Sequence, residues 1–311
     1  MIFSYFLQIS NHMWLDRDSI TPGWVVQEKW DENNNTDEEV FDRLVDFIAE
    51  RKYNMLIIDV GDGVKLDSHP EIAAPDAWSK EKLAKKLEYI RGKGIEPVPK
   101  MNFSCCHNTW QKKWRFMTGT PEHIAFCKDL IREVSSLFGS KYFHLGLDEE
   151  TYEHQKYNGV AIVRNEKVFW HDCYELFDCC LECGARPWVF SDYYWHHPDL
   201  FVKYMPKTVL QSNWYYGTFD TRPEAPRYNT IMTYNRLDEL GYDQVPVCST
   251  WSSTSNAKQT LAYCKEKLSA DRLLGFMTIP WRNTTATEYY TLMSDADRLY
   301  TARKLHYPDT L

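Results

Sequence analysis

The feature that most constrains this chain is a rhythm. Eight short apolar runs recur along it, each followed by a stretch with helical spacing. The runs are SYFLQIS, NMLIIDV, IEPVPKMNF, YFHLGL, RPWVFSD, TVLQSNW, VPVCSTW and LLGFMTI, in that order. Runs of this length, rich in β-branched and aromatic residues, read as strands buried on both faces. The stretches between them carry helix start signals. Thr36-x-x-Glu39 reads as a capping box, with Phe41, Leu44, Val45 and Ile48 on one face behind it. Ser79 opens a Lys/Glu-rich helix that stops at Gly94, and Thr120-Pro121-Glu122 places a cap before a proline at the first helical position. Residues 165–183, 228–241, 256–269 and 285–304 repeat the theme, with Thr285-x-x-Glu288 as a second capping box. The crossover near Pro198–Tyr204 is short, and His196-His197 in front of it reads as a helix entry.

Eight strand–helix units with no Gly/Ser linker predict a single (β/α)8 TIM barrel, one domain over residues 1–311. A doubly wound open sheet is the alternative, but no GxGxxG or GxxxxGK[ST] loop supports it. With 311 residues and 43% apolar composition the chain can fill one large core. A net charge of −8 without any Lys/Arg block argues against nucleic acid or an anionic membrane as partner. No apolar run reaches the length of a membrane span. The opening MIFSYFLQIS lacks a basic start and a small-residue cleavage site, so it reads as a strand rather than a signal peptide. Nine scattered cysteines read as free thiols. Together these point to the cytoplasm, although a longer precursor would still allow export. Cys180-x-x-Cys183 has no second pair at matching spacing, so no zinc ribbon is expected.

In such barrels chemistry collects where strands end and loops begin. The strand ends of this sequence offer Arg17, Asp59, Asn102, His107, His144, Asp148, Glu149, Asp192, Trp214, Tyr215, Trp251 and Trp281. Polar and aromatic residues thus converge on one rim. Aromatic faces pack against the C–H faces of sugar rings, which points to a carbohydrate substrate. Cleaving a glycosidic bond needs a proton on the leaving oxygen and negative charge against an oxocarbenium-like centre. Asp148 and Glu149 cannot both ionise cheaply in a dry pocket, so one of them is expected to have a raised pKa. Spacing alone does not say which is the acid. His144 reads equally as a hydrogen-bonded core histidine behind the acid or as a substrate contact. No cofactor is expected. His12, His107, His144 and Asp192 could converge on a metal, but the first strand lacks a His-x-His pair, so none is assigned. There is no G-x-S-x-G elbow, and Cys105-Cys106 has only His107 as a candidate base.

The run H144-L-G-L-D148-E149 resembles the H-x-G-x-D-E signature of glycoside hydrolase family 20, the β-N-acetylhexosaminidases, at the end of their fourth barrel strand. P99-K-M-N102-F-S-C-C-H107 is similar to that family's P-x-x-D-x-P-G-H, and W214-Y-Y-G resembles its later Trp/Tyr segment. The family usually has Gly where Leu147 stands and Asp where Asn102 stands. The resemblance implies a hydrolase that removes terminal N-acetylhexosamine with retention, using the substrate's own 2-acetamido group as nucleophile. It implies Glu149 as general acid/base, Asp148 orienting the acetamido group and Tyr215 hydrogen-bonding its carbonyl. Trp214, Trp251 and Trp281 would wall the sugar pocket. Two alternatives remain at this level: a carbohydrate-binding barrel without catalysis, and a retaining glycosidase with a protein carboxylate nucleophile such as Asp192.

Overall fold

The computed structural model describes residues 1–12, 31–156, 158 and 160–311. All eight expected strands form: β1 (Ile2–Gln8), β2 (Met55–Asp59), β3 (Glu96–Lys100), β4 (Tyr142–His144), β5 (Arg186–Phe190), β6 (Leu210–Ser212), β7 (Val247–Cys248) and β8 (Gly275–Thr278). They pair in parallel in the order β6-β5-β4-β3-β2-β1-β8-β7. Parallel bridges Gln211↔Gln244 and Trp214↔Val247 join the two ends of that order, so the sheet closes on itself. The helices between the strands are α1 (Glu38–Glu50), α2 (Lys80–Gly92), α3 (Pro121–Phe138), α4 (Glu166–Glu182), α5 (Tyr193–His196), α6 (Pro198–Tyr204), α7 (Tyr228–Glu239), α8 (Asn256–Lys267) and α9 (Tyr289–His306). This is a (β/α)8 barrel.

Strand side chains alternate between two cores, as the pleat requires. Phe6, Met55, Ile57, Val98, Trp188, Phe190, Leu210 and Met277 fill the barrel interior. Their neighbours Tyr5, Leu7, Leu56, Ile58 and Val189 pack outward against the helices.

Most helix starts follow the sequence signals. The Ser79 side chain accepts from Lys82 N, and that of Thr120 from His123 N. Two signals shift. Asp37, not Thr36, caps α1 by accepting from Val40 N, because the Thr36 hydroxyl donates to Ile9 O instead. Thr285 and Glu288 form no capping box. The Thr285 hydroxyl meets that of Thr287, and Glu288 lies 3.5 Å from the Arg282 guanidinium. The short crossover is observed as α6, and His197 is its N-cap. All nine cysteines are free thiols, with Cys179 and Cys180 buried in α4. Among the described residues no helix is long and apolar enough to cross a membrane.

Candidate active site

Strand β4 stops at His144, and the next five residues turn sharply to bring two acids over the barrel mouth. Gly146, Leu147 and Glu149 all have positive φ (70°, 64° and 56°). Left-handed backbone costs a residue with a side chain about 1–2 kcal/mol, so other groups must hold this turn. Several do. Ser104 Oγ donates to Asp148 O at 2.6 Å, Cys106 Sγ donates to Glu149 O, and the Glu149 N–H donates to Asp192 Oδ2 at 2.7 Å. Gly146 admits no side chain: a Cβ there would sit 2.2 Å from Asn102 Oδ1.

Asn102 is an internal brace. Its amide donates to Asp148 Oδ1 at 2.7 Å while its carbonyl accepts from Ser104 N and Leu147 N. An aspartate in its place could not donate and would set a third carboxylate against Asp148.

His107 lies between the two acids. Its Nε2 is 3.3 Å from Asp148 Oδ2 and 3.2 Å from Glu149 Oε2. The other Glu149 oxygen, Oε1, is 3.3 Å from His154 Nε2, and His154 Nδ1 meets the Thr151 hydroxyl at 2.8 Å. This arrangement reverses the expected electrostatics. Burial alone would push Asp148 up, but the His107 charge overrides it and holds that carboxyl well below its ordinary range. Burial likewise opposes ionisation of Glu149, yet hydrogen bonds from His107 and His154 bring it down to about 2. Neither acid is raised, because an imidazolium separates them. Desolvation disfavours that imidazolium too, but the two carboxylates hold His107 up at about 10. Asp192 faces N–H donors instead. Its Oδ1 accepts from Trp214 Nε1 at 3.3 Å, and burial followed by repulsion from Asp148 pushes it up to about 7.

The remaining sequence candidates fall into three groups. Asp59 and His144 lie beneath the site. Asp59 Oδ2 pairs with the buried Lys100 ammonium at 2.6 Å. His144 is fully buried against Trp188 and Phe190, its Nδ1 accepts from Gly146 N, and burial drives its pKa well below 6.5. It is the core histidine of the two readings.

Trp214 and Trp281 pack against the barrel interior, partly buried. Trp214 stacks on Tyr216 at 5.1 Å, and Trp281 packs on Phe6 and Phe190 with φ of 51°. Trp251 is more open, 42% exposed, with the Arg282 guanidinium 5.3 Å over its ring.

Tyr215 is not brought to the pair. Its ring packs on Phe219 and its hydroxyl donates to Thr218 O. Tyr216 shares the inward side with Trp214, and its hydroxyl feels the charges of Asp148 and Glu149. Arg17 lies outside the described residues. His12 does not join His107, since it binds Asp62 at 2.5 Å and Asp31 O at 2.6 Å. Among the described residues, the ligand atoms of His107, Asp148 and Glu149 all lie within 4.8 Å of one another, compact enough for a cation. Glu150 turns away into a buried ion pair with Arg164.

Sequence reasoning missed Tyr216, Lys100 and His154. Strand alternation from Trp214 would have found Tyr216. His154 sits in an irregular loop where no periodicity points to it.

Comparison with known proteins agrees with this fold. A lacto-N-biosidase of Bifidobacterium bifidum is 22% identical over 130 residues, covering 37% of this chain and 12% of that protein. In structure the chain is similar to a chitobiase of Flavobacterium johnsoniae, with a TM-score of 0.61, 15% identity, and coverage of 88% of this chain and 49% of the other. An exo-β-N-acetylglucosaminidase of Vibrio harveyi in complex with N-acetylglucosamine gives 0.62, 12% identity, and coverage of 99% and 57%. The chain therefore spans about half the length of these solved structures and a small part of the curated relative. A family model, that of the glycosyl hydrolase family 20 catalytic domain, matches residues 70–293, well over half of the sequence, and the chain belongs to that family.

Proposed function

We propose that this barrel hydrolyses a terminal, β-linked N-acetylhexosamine with retention of configuration. The observation that carries the reading is the Asp148–His107–Glu149 cluster at the barrel mouth, beside the aromatic wall of Trp214, Tyr216 and Trp281. Glu149 protonates the leaving oxygen. Asp148, kept ionised by His107, orients the substrate's acetamido N–H so that its carbonyl oxygen attacks the anomeric carbon. Water then opens the cyclic intermediate, with Glu149 as base. Asp192 as a protein nucleophile fits less well, because its two oxygens are occupied by the Glu149 N–H and the Trp214 indole.

One observation favours a second reading, a sugar-binding barrel without turnover. Both Glu149 oxygens face imidazole nitrogens, which favour its ionised form, whereas a general acid must carry a proton. The test is hydrolysis of aryl and alkyl β-N-acetylhexosaminides by the wild type and Glu149→Gln. Turnover that falls by ~100-fold or more in the variant on the alkyl substrate, with binding retained, supports the enzyme. Calorimetric sugar binding by a wild type that turns over neither substrate supports the binder.

A further inference from the structure

An acid catalyst pinned between two imidazoles raises the question of where its proton resides. The two histidines are not equivalent. His107 is buried and shared with Asp148, so releasing its proton would leave two carboxylates facing each other. His154 touches Glu149 alone of the two acids, through Nε2 to Oε1, and is 36% exposed. Its Nδ1–H can rest on the Thr151 hydroxyl whether or not Nε2 carries a proton. From this geometry we infer that His154 is a positioning residue that stores the working proton of Glu149 and passes it through Nε2 to Oε1 as the leaving group departs.

The inference rests on the proposed hydrolase reading. The transfer balances within the site. The Nε2–H bond breaks as the Oε1–H bond forms, giving neutral imidazole and a carboxylic acid. The leaving oxygen then takes that proton. In the second half the water that attacks the intermediate returns a proton to Oε1 and thence to Nε2, so each cycle ends as it began. The surroundings of His154 favour this role. Glu149 raises its affinity for a proton, and Asp192, at the start of α5, adds to the effect, while burial, His107 and, from α5, His196 oppose it. The ion pair of Lys156 and Glu153 lies on the same loop.

The test compares wild type, His154→Gln and His154→Ala over pH 4–9 on two β-N-acetylhexosaminides, one with an alkyl and one with a dinitrophenyl leaving group. Glutamine can still hydrogen-bond Glu149 but cannot hold the proton. For the alkyl substrate, kcat/KM of both variants should fall ~10-fold or more at pH 7. The basic limb of their profiles should move to lower pH by about one unit or more, because Glu149 must then hold the proton alone. The dinitrophenyl substrate, which needs little protonation, should be nearly unaffected. A basic limb of His154→Gln that superimposes on that of the wild type overturns the inference, as does an equal loss on both substrates. Those outcomes leave the hydrolase reading standing. A wild type that turns over neither substrate removes both.

Discussion

His107→Asn should show what a cation between two buried carboxylates is worth. Moving an imidazole from its ordinary 6.5 to about 10 corresponds to about 5 kcal/mol, at about 1.4 kcal/mol per pH unit. Removing one partner of a buried pair costs about 3–5 kcal/mol by a separate measure. The sign follows from proton linkage. Folded protein keeps the His107 proton to about 10 whereas unfolded protein loses it near 6.5, so the stabilisation is complete below about 6.5 and lost as pH rises through about 10. Asp148 and Glu149 are lowered, so their share is present above their ordinary range and lost as pH falls through it, for Glu149 toward about 2. These two edges describe one interaction seen from its two partners and are not added. Urea denaturation at pH 6 should therefore find the variant about 3–5 kcal/mol less stable, with a melting temperature lower by about 6–10 °C. At pH 9.5 the gap should narrow to about 1 kcal/mol or less, because the wild type has lost most of its advantage. An equal gap at both pH values would refute the assignment of the charge to His107.

Lys100→Met should destabilise by about 3–5 kcal/mol by stranding buried Asp59, while Lys100→Met with Asp59→Leu should cost under about 2 kcal/mol. Penalties that simply add in the double variant would show that the two charges are not coupled. Asp192→Asn cannot satisfy both the Glu149 N–H and the Trp214 indole with its single carbonyl oxygen, so kcat should drop ~10-fold or more on every leaving group. Because Asp192 is raised to about 7, its stabilisation is full below about 4 and lost as pH rises through about 7. The variant should accordingly gain about 3–4 kcal/mol relative to wild type between those limits, read from denaturant midpoints.

The barrel was legible because strands buried on both faces leave long apolar runs, and such runs survive any detail of side-chain contact. The DE pair stood out as a candidate because it follows an apolar strand directly, although the third acid, Glu150, has the structural use of pairing with Arg164. What the sequence withheld is partnership. Asp59 and Asp148 both stand near strand ends, yet one meets a buried ammonium and the other an imidazole, and no spacing separates them. Tyr215 and Tyr216 are adjacent and chemically identical, so one step of strand phase decides which faces the barrel interior beside Trp214 and which packs on Phe219. Phase blurs where a short strand such as β6 ends and a turn begins. The capping boxes failed for a related reason. The Thr36 hydroxyl had a carbonyl of the first strand to bind, and Glu288 had Arg282, neither of which is visible within four residues of sequence.

Seen together, the charges at the barrel mouth alternate. Lys100 answers Asp59, His107 answers Asp148 and Glu149, and His154 answers the outer oxygen of Glu149. Asn102 extends the pattern by donating to Asp148 where an aspartate would repel it. The imidazoles keep Asp148 and Glu149 ionised at neutral pH, whereas burial and repulsion from Asp148 push Asp192 up to about 7. In the proposed reaction ionisation suits Asp148, which would hold the acetamido N–H. It suits Glu149 only if a proton waits next to it. That requirement is met at His154 and not at His107, because removing the inner proton would leave Asp148 and Glu149 as adjacent buried anions, while the outer imidazole is partly solvated and has the Thr151 hydroxyl for its second nitrogen. The same cations that make the acid pair affordable thus move its proton store outward, onto the loop that follows β4.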